Sequence, residues 1–206
     1  MLKVGIVDYG AGNIGSIQNM IRRLGGESFI VQDAQSVLSA DKIVLPGVGN
    51  FDHGMKMLID KNLVDPIKEY VSLKQRPLLG ICLGAQLLTK KSEEGSLAGF
   101  GFFEAEVLHF SKLPNTENIR IPHMGWNYIQ FENEKQLLCN LPEMPRFYFV
   151  HSYYMQSTVA SEVLCTANYR TPFAAGLQKD NVWAVQFHPE KSHKYGMRLF
   201  QNFLNM

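Results

Sequence analysis

Hydrophobic and polar positions change their rhythm about halfway along this 206-residue chain. In the first half, short continuous apolar runs alternate with stretches of helical spacing. "KVGIVDY" (3–9), "SFIVQ" (28–32), "KIVLPG" (42–47) and "PLLGI" (77–81) read as strands. Between them, "SIQNMIRRLGG" carries Ile17, Met20, Ile21 and Leu24 at helical spacing, with Gly25 placed as a C-cap. "HGMKMLIDKN" and "DPIKEYVSLKQ" are helical as well, the latter with Pro66 near its start, and "LGAQLLTKKS" opens another helix. Apolar strands without alternation, interleaved with amphipathic helices, predict a parallel sheet covered on both faces.

After residue 100 the pattern turns to strands: "FFEAEVLHF", "NYIQF", "RFYFVHSYYMQ", "EVLCTANY", and "FAAGLQ" joined to "NVWAVQF" by the hairpin turn "KDN". The chain ends in a helix, "KYGMRLFQNFLNM", whose expected apolar face is Met197, Phe200, Phe203 and Leu204. With no linker or repeat, the expectation is one α/β domain over 1–206. Its central sheet is mixed and mostly parallel, flanked by helices, with a sharp turn after a central strand.

Composition narrows the function classes. Lys and Arg total 20 against 19 for Asp and Glu, which gives no electrostatic case for nucleic acid or an anionic membrane. Hydrophobic residues make up 46%, enough for a sizeable core. No run approaches the ~18 apolar residues of a membrane span, and the N-terminal run is too short for a signal-peptide core. Three cysteines without a CxxC pair suit a reducing compartment. A cytoplasmic protein is expected.

The candidate chemistry begins at "PLLGICLGAQLL". A strand that ends in Gly-x-Cys-x-Gly has the form of a nucleophile elbow, with Gly80 and Gly84 relieving the crowding of a sharp turn around Cys82. The thiol would stand at a helix N-terminus, where free N–H groups favour an anion, and the Leu83 N–H would face an oxyanion formed there. The competing reading is an inert buried thiol beside packing glycines. A nucleophilic thiol needs a base. In "WAVQFHPEKS", His188 follows an apolar strand and Glu190 lies two residues on, placed to orient the imidazole if the backbone stays extended. His188, Glu190 and His193 also read as H-x-E-x-x-H, but the histidines are five apart with Pro189 between, which is poor spacing for a helical metal motif. The glycine-rich loop "LPGVGNF" follows the third strand. Its Gly47, Val48 and Gly49 can offer a second N–H to the oxyanion, and Gln86, one helical turn past Cys82, can reach a substrate's polar groups.

"GICLGAQLL", "LPGVGNF" and "QFHPEKS" together resemble the class I (triad) glutamine amidotransferases over nearly the whole chain. "VDYGAGN", "SEEG" and "PHMGWN" resemble, within that family, the glutaminase subunits of imidazole glycerol phosphate synthases. The resemblance implies a Cys82, His188, Glu190 triad that hydrolyses glutamine through a glutamyl thioester without a cofactor. It implies an oxyanion hole of Leu83 with Val48 or Gly49, and glutamine contacts from Gly47 and Gln86. Only sixteen residues follow Glu190, so the ammonia acceptor is expected on a (β/α)₈ cyclase partner in a heterodimer. Asn13, His123, Met124, Trp126 and Asn127 are the expected interface. Ala85 and Gly15 depart from the family's commoner residues and leave open a paralogous role, supplying ammonia to a sugar amidotransferase. A reading from another class uses "GAGNIG" (10–15), a literal G-x-G-x-x-G after a strand, with Asp33 as the ribose-binding acid of a dinucleotide site.

Overall fold

The computed structural model describes residues 2–114, 119–131 and 135–206. Among these, the strands of the first half are β1 (Lys3–Val7), β2 (Glu27–Val31), β3 (Lys42–Leu45) and β4 (Leu78–Ile81). They run parallel in the order β2-β1-β3-β4, and every residue of β3 and β4 is buried. The continuous apolar runs thus belong to strands covered on both faces. The helices between them are α1 (Ile14–Arg23), α2 (Ala34–Ser39), α3 (Phe51–Asp60) and α4 (Val64–Ser72). Helix α1 buries Ile17, Met20 and Ile21. It stops where Gly25 takes φ +78°, with Gly25 N–H bonded to Arg22 O and Gly26 N–H to Ile21 O, a Schellman closure. Helix α2 was not anticipated from periodicity. Its signal is the capping box in "DAQS", where the Asp33 carboxylate accepts from Ser36 N–H and Ser36 Oγ accepts from Asp33 N–H.

Helix α5 (Leu83–Leu87) is shorter than its apolar pattern predicts. The Thr89 hydroxyl donates to Gln86 O at 2.7 Å and closes the last turn. The chain then leaves to pair as β5 (Lys91–Ser92) with β6 (Ala105–His109).

The strand-rich half extends the sheet through β12-β11-β10-β7-β8, comprising β7 (His123–Gln130), β8 (Arg146–His151), β10 (Val163–Tyr169), β11 (Thr171–Lys179) and β12 (Val182–Val185). β12 lies parallel to β4 and antiparallel to β11, so it joins the two halves. The run "RFYFVHSYYMQ" is two strands rather than one. β8 pairs with β7, whereas β9 (Tyr153–Ser157) pairs with β6 and β11, and the chain changes partners at Ser152.

The final helix α6 (His193–Asn205) buries Gly196, Leu199, Phe200, Asn202 and Phe203. Met197 and Leu204 only flank that face, so the buried stripe is rotated from the expected one. Its C-terminus is held by Lys42, whose buried Nζ donates to the carbonyls of Phe203, Leu204 and Met206.

Candidate active site

Three adjacent parallel strands deliver the candidate residues to one edge. β3 leads into the glycine-rich loop, β4 into Cys82, and β12 into His188 three residues on. Ligand sites in open α/β sheets favour this carboxyl-terminal edge. Cys82 N–H bonds to Val185 O at 2.8 Å, which ties the elbow to the strand that leads to His188.

Cys82 sits at φ +55°, ψ −113°, a conformation strained for any residue with a Cβ. The elbow closes because its glycines have no side chain. A Cβ on Gly84 would lie 1.9 Å from Leu45 O, and one on Gly80 would lie 2.8 Å from Ala85 Cα. Gly47 is packed in the same way, under Tyr9 Oη, Gly84 N and Leu83 Cβ. It therefore supports the loop from below, while Val48 and Gly49 line the cleft beside Cys82. That corrects the expected direct contact between Gly47 and substrate. Tyr9 donates to Pro46 O at 2.7 Å and so fastens the start of the loop. Burial first, and Cys82 second, hold its phenol above the usual tyrosine range.

His188 is fixed at the backbone. Its N–H bonds to Tyr148 O, and Ser192 Oγ donates to its carbonyl at 2.6 Å while accepting from Tyr148 N–H. Pro189 opens a 3₁₀ turn, Pro189–Lys191, and this turn brings Glu190 Oε1 to 2.7 Å from His188 Nδ1. The pairing expected from an extended i, i+2 segment is thus made by a turn. Both side chains are 2% exposed. The other ring nitrogen, Nε2, is buried and forms no hydrogen bond of good geometry. Burial pushes the imidazole pKa down. The neighbouring Cys82 thiol and the Glu190 carboxylate outweigh it, raising the pKa to about 9. An imidazole held as a cation between Cys82 and a carboxylate can donate a proton to a departing amine and take one from water later.

These groups share a cleft of about 340 Å³, which also presents Gln86, Glu94, His151 and Tyr153. Gln86 is held by Gln186 Oε1 at 3.0 Å and Tyr153 O at 3.3 Å. Among the described residues, the Leu83, Val48 and Gly49 N–H groups donate to no protein acceptor. Glu94, His151 and Tyr153 also line the cleft, and the sequence reading does not single them out. "SEEG" was a usable signal for Glu94; the others reach the cleft through strand pairing, which local sequence does not encode.

The expected interface residues separate. Met124 and Trp126 are exposed on β7, with Tyr128 beside them. Asn13 is exposed and caps α1. His123 is buried beneath that face, and Asn127 reaches inward to it. His193 stacks on Trp126 with ring centroids 5.6 Å apart, whereas His188 Nδ1 pairs with Glu190.

The dinucleotide reading of "GAGNIG" fails on packing. A Cβ on Gly12 would lie 2.9 Å from Pro46 Cβ, so the loop leans on the glycine-rich loop instead of opening to a pyrophosphate. Gly15 has nothing within 4 Å of its Cβ position and serves no close helix–strand contact, and Asp33 is engaged as the α2 cap.

Fold and site together define an α/β enzyme of the nucleophile-elbow kind. Residues 5–206 match the family model "Glutamine amidotransferase class-I", and the chain belongs to that family. It is 49% identical over 201 residues to the imidazole glycerol phosphate synthase subunit HisH 2 of Methanococcus maripaludis, covering 98% of each chain. The protein of the same description from Pseudomonas aeruginosa is 42% identical, again over 98% of each. Among solved structures, PurLQS from Thermotoga maritima superposes with TM-score 0.75 at 18% identity, over 99% of this chain and 98% of that one. A glutamine amidotransferase from the same organism gives 0.68 at 16%, over 99% and 83%. These two likenesses establish the shared fold.

Proposed function

We propose that the whole chain, 1–206, acts as a glutaminase subunit, with Cys82 as nucleophile, His188 as acid and base, and Glu190 as the group that orients His188. The observation that carries this is the convergence of Cys82 and the His188–Glu190 pair on one cleft at the ends of β4 and β12. Cys82 Sγ, its proton held on His188 Nε2, attacks the side-chain amide carbon of glutamine. The oxyanion is met by the N–H of Leu83 and that of Val48 or Gly49. His188 Nε2 gives its proton to the nitrogen as the C–N bond breaks, and ammonia leaves a glutamyl thioester. Water, deprotonated by His188, then cleaves the thioester and releases glutamate. Glu94 suits the substrate's α-ammonium group.

The relatives at 49% and 42% identity are named as subunits of imidazole glycerol phosphate synthase, which supports a cyclase as the ammonia acceptor. Ammonia in neutral water is protonated and no longer nucleophilic, so a docked acceptor with an internal path is required. The exposed stripe of Met124, Trp126 and Tyr128 on β7 is the docking face, with Trp126 its aromatic anchor. Glutamine hydrolysis by the chain alone should be slow, and the (β/α)₈ cyclase with its nucleotide ligand should raise kcat by ~10²–10³, the worth of one oxyanion donor. Equal kcat with and without partner would remove the case for activation by the partner. Stimulation by a sugar-amidotransferase pair and none by the cyclase would reassign the acceptor.

A further inference from the structure

A hydrogen-bond chain with one direction runs from β7 to the cleft. It begins at Asn127, whose amide orientation is fixed by two contacts: Oδ1 accepts from Tyr128 N–H at 2.8 Å, and Nδ2 donates to Asn168 O at 2.8 Å. The same Nδ2 therefore donates to His123 Nε2, 3.2 Å away. At the other end, His151 Nδ1 is 2.7 Å from Tyr153 O, which can only accept. His151 thus carries its proton on Nδ1 and offers Nε2 as acceptor. His123 Nδ1 lies 2.9 Å from that Nε2, so His123 donates to it. Both rings are neutral Nδ1–H tautomers, and each proton points toward the cleft. Tyr153 O also accepts from Gln86 Nε2, which donates to Gln186 Oε1, and Gln186 Nε2 is 3.8 Å from Cys82 Sγ.

The surroundings do not require histidines. The pair sits among Phe110, Phe149, Tyr169 and Phe173, where apolar rings would pack without burying polar nitrogen atoms. Burial holds both imidazoles well below the ordinary range, His123 at about 4 and His151 at about 3, so they stay uncharged at neutral pH. What the two rings add over phenylalanine is a route from β7, whose outer face carries Met124 and Trp126, to the cleft wall formed by His151 and Tyr153.

We propose that His123 is a positioning residue for glutamine: through His151 it fixes the Tyr153 carbonyl and the Gln86 amide, and so couples the cleft wall to strand β7. The proposal rests on reading the cleft as a glutamine site.

The test uses the full chain and a glutamine analogue with an electrophilic side chain. Its inactivation kinetics separate binding (KI) from the limiting rate, and iodoacetamide reports the bare thiol. His123→Phe keeps a ring stacked on Tyr169 and Phe149 but removes the donor. KI should rise roughly tenfold, with the limiting rate and the iodoacetamide rate unchanged. His123→Asn loses the ring but keeps an amide N–H near the Nδ1 position, and should return KI to near the wild-type value. A purely structural role predicts the reverse order. Unchanged KI in His123→Phe, or no recovery in His123→Asn, overturns the proposal. Ring ¹⁵N spectra of the unaltered chain provide a check that needs no variant: two neutral Nδ1–H rings support it, and a charged or Nε2–H ring at either position defeats it. Labelling at a cysteine other than Cys82 would instead overturn the glutamine reading itself.

Discussion

Replacing Cys82 once by alanine and once by glycine isolates the cost of the elbow. Both changes remove the sulfur and its contacts, so their difference reports the backbone. At an ordinary helical position, alanine is more stable than glycine by about 0.5–1 kcal/mol, because glycine loses more conformational freedom on folding. At φ +55°, ψ −113°, the Cβ of alanine keeps a strain of about 1–3 kcal/mol that glycine does not have. Taking about 2 kcal/mol for the strain and subtracting the entropic term leaves glycine ahead by about 1 kcal/mol. For a chain of this length, that is an increase of about 2–4 °C in Tm. Urea unfolding of the two variants, followed by intrinsic fluorescence, measures the difference directly. Both variants should lack glutamine hydrolysis. If alanine proves more stable than glycine by 0.5 kcal/mol or more, Cys82 is not held under strain, and the account of its glycine neighbours falls with it.

Four further outcomes are expected. His188→Ala should lower kcat by ~10²–10⁴, whereas Glu190→Gln should retain more activity; since Glu190 helps raise the His188 pKa to about 9, its loss should move the alkaline limb of the kcat/KM profile to lower pH, and an unmoved limb would refute the pairing. By linkage, the raised His188 pKa stabilises the fold fully below about pH 6.5, and that contribution is lost as pH rises through about 9, which denaturant midpoints across the range would detect. Gly84→Ala puts a Cβ 1.9 Å from Leu45 O and should destabilise by about 3 kcal/mol or more while abolishing analogue labelling at Cys82. Lys42→Met should cost about 2 kcal/mol, read from urea midpoints, because a buried ammonium group caps three carbonyls at the end of α6.

The local features of the sequence determined a good deal. Continuous apolar runs determine strands buried on both faces, and helical spacing determines α1, α3 and α4, because both depend on residues within one or two turns. The glycines around Cys82 carried their meaning directly, since a side chain at Gly84 would collide with backbone wherever a strand turns this sharply into a helix. Tertiary structure decided what depends on partners distant in sequence. It split "RFYFVHSYYMQ" into β8 and β9, because the two parts pair with different strands. It shortened α5 in favour of pairing at β5, and it rotated the buried face of α6. It also decided which way β7 faces. Alternation groups His123 with Asn127 and Met124 with Trp126, but the period of two is the same whichever group points inward. Only the packing of Phe110, Phe149 and Tyr169 around His123 settles that this side is buried.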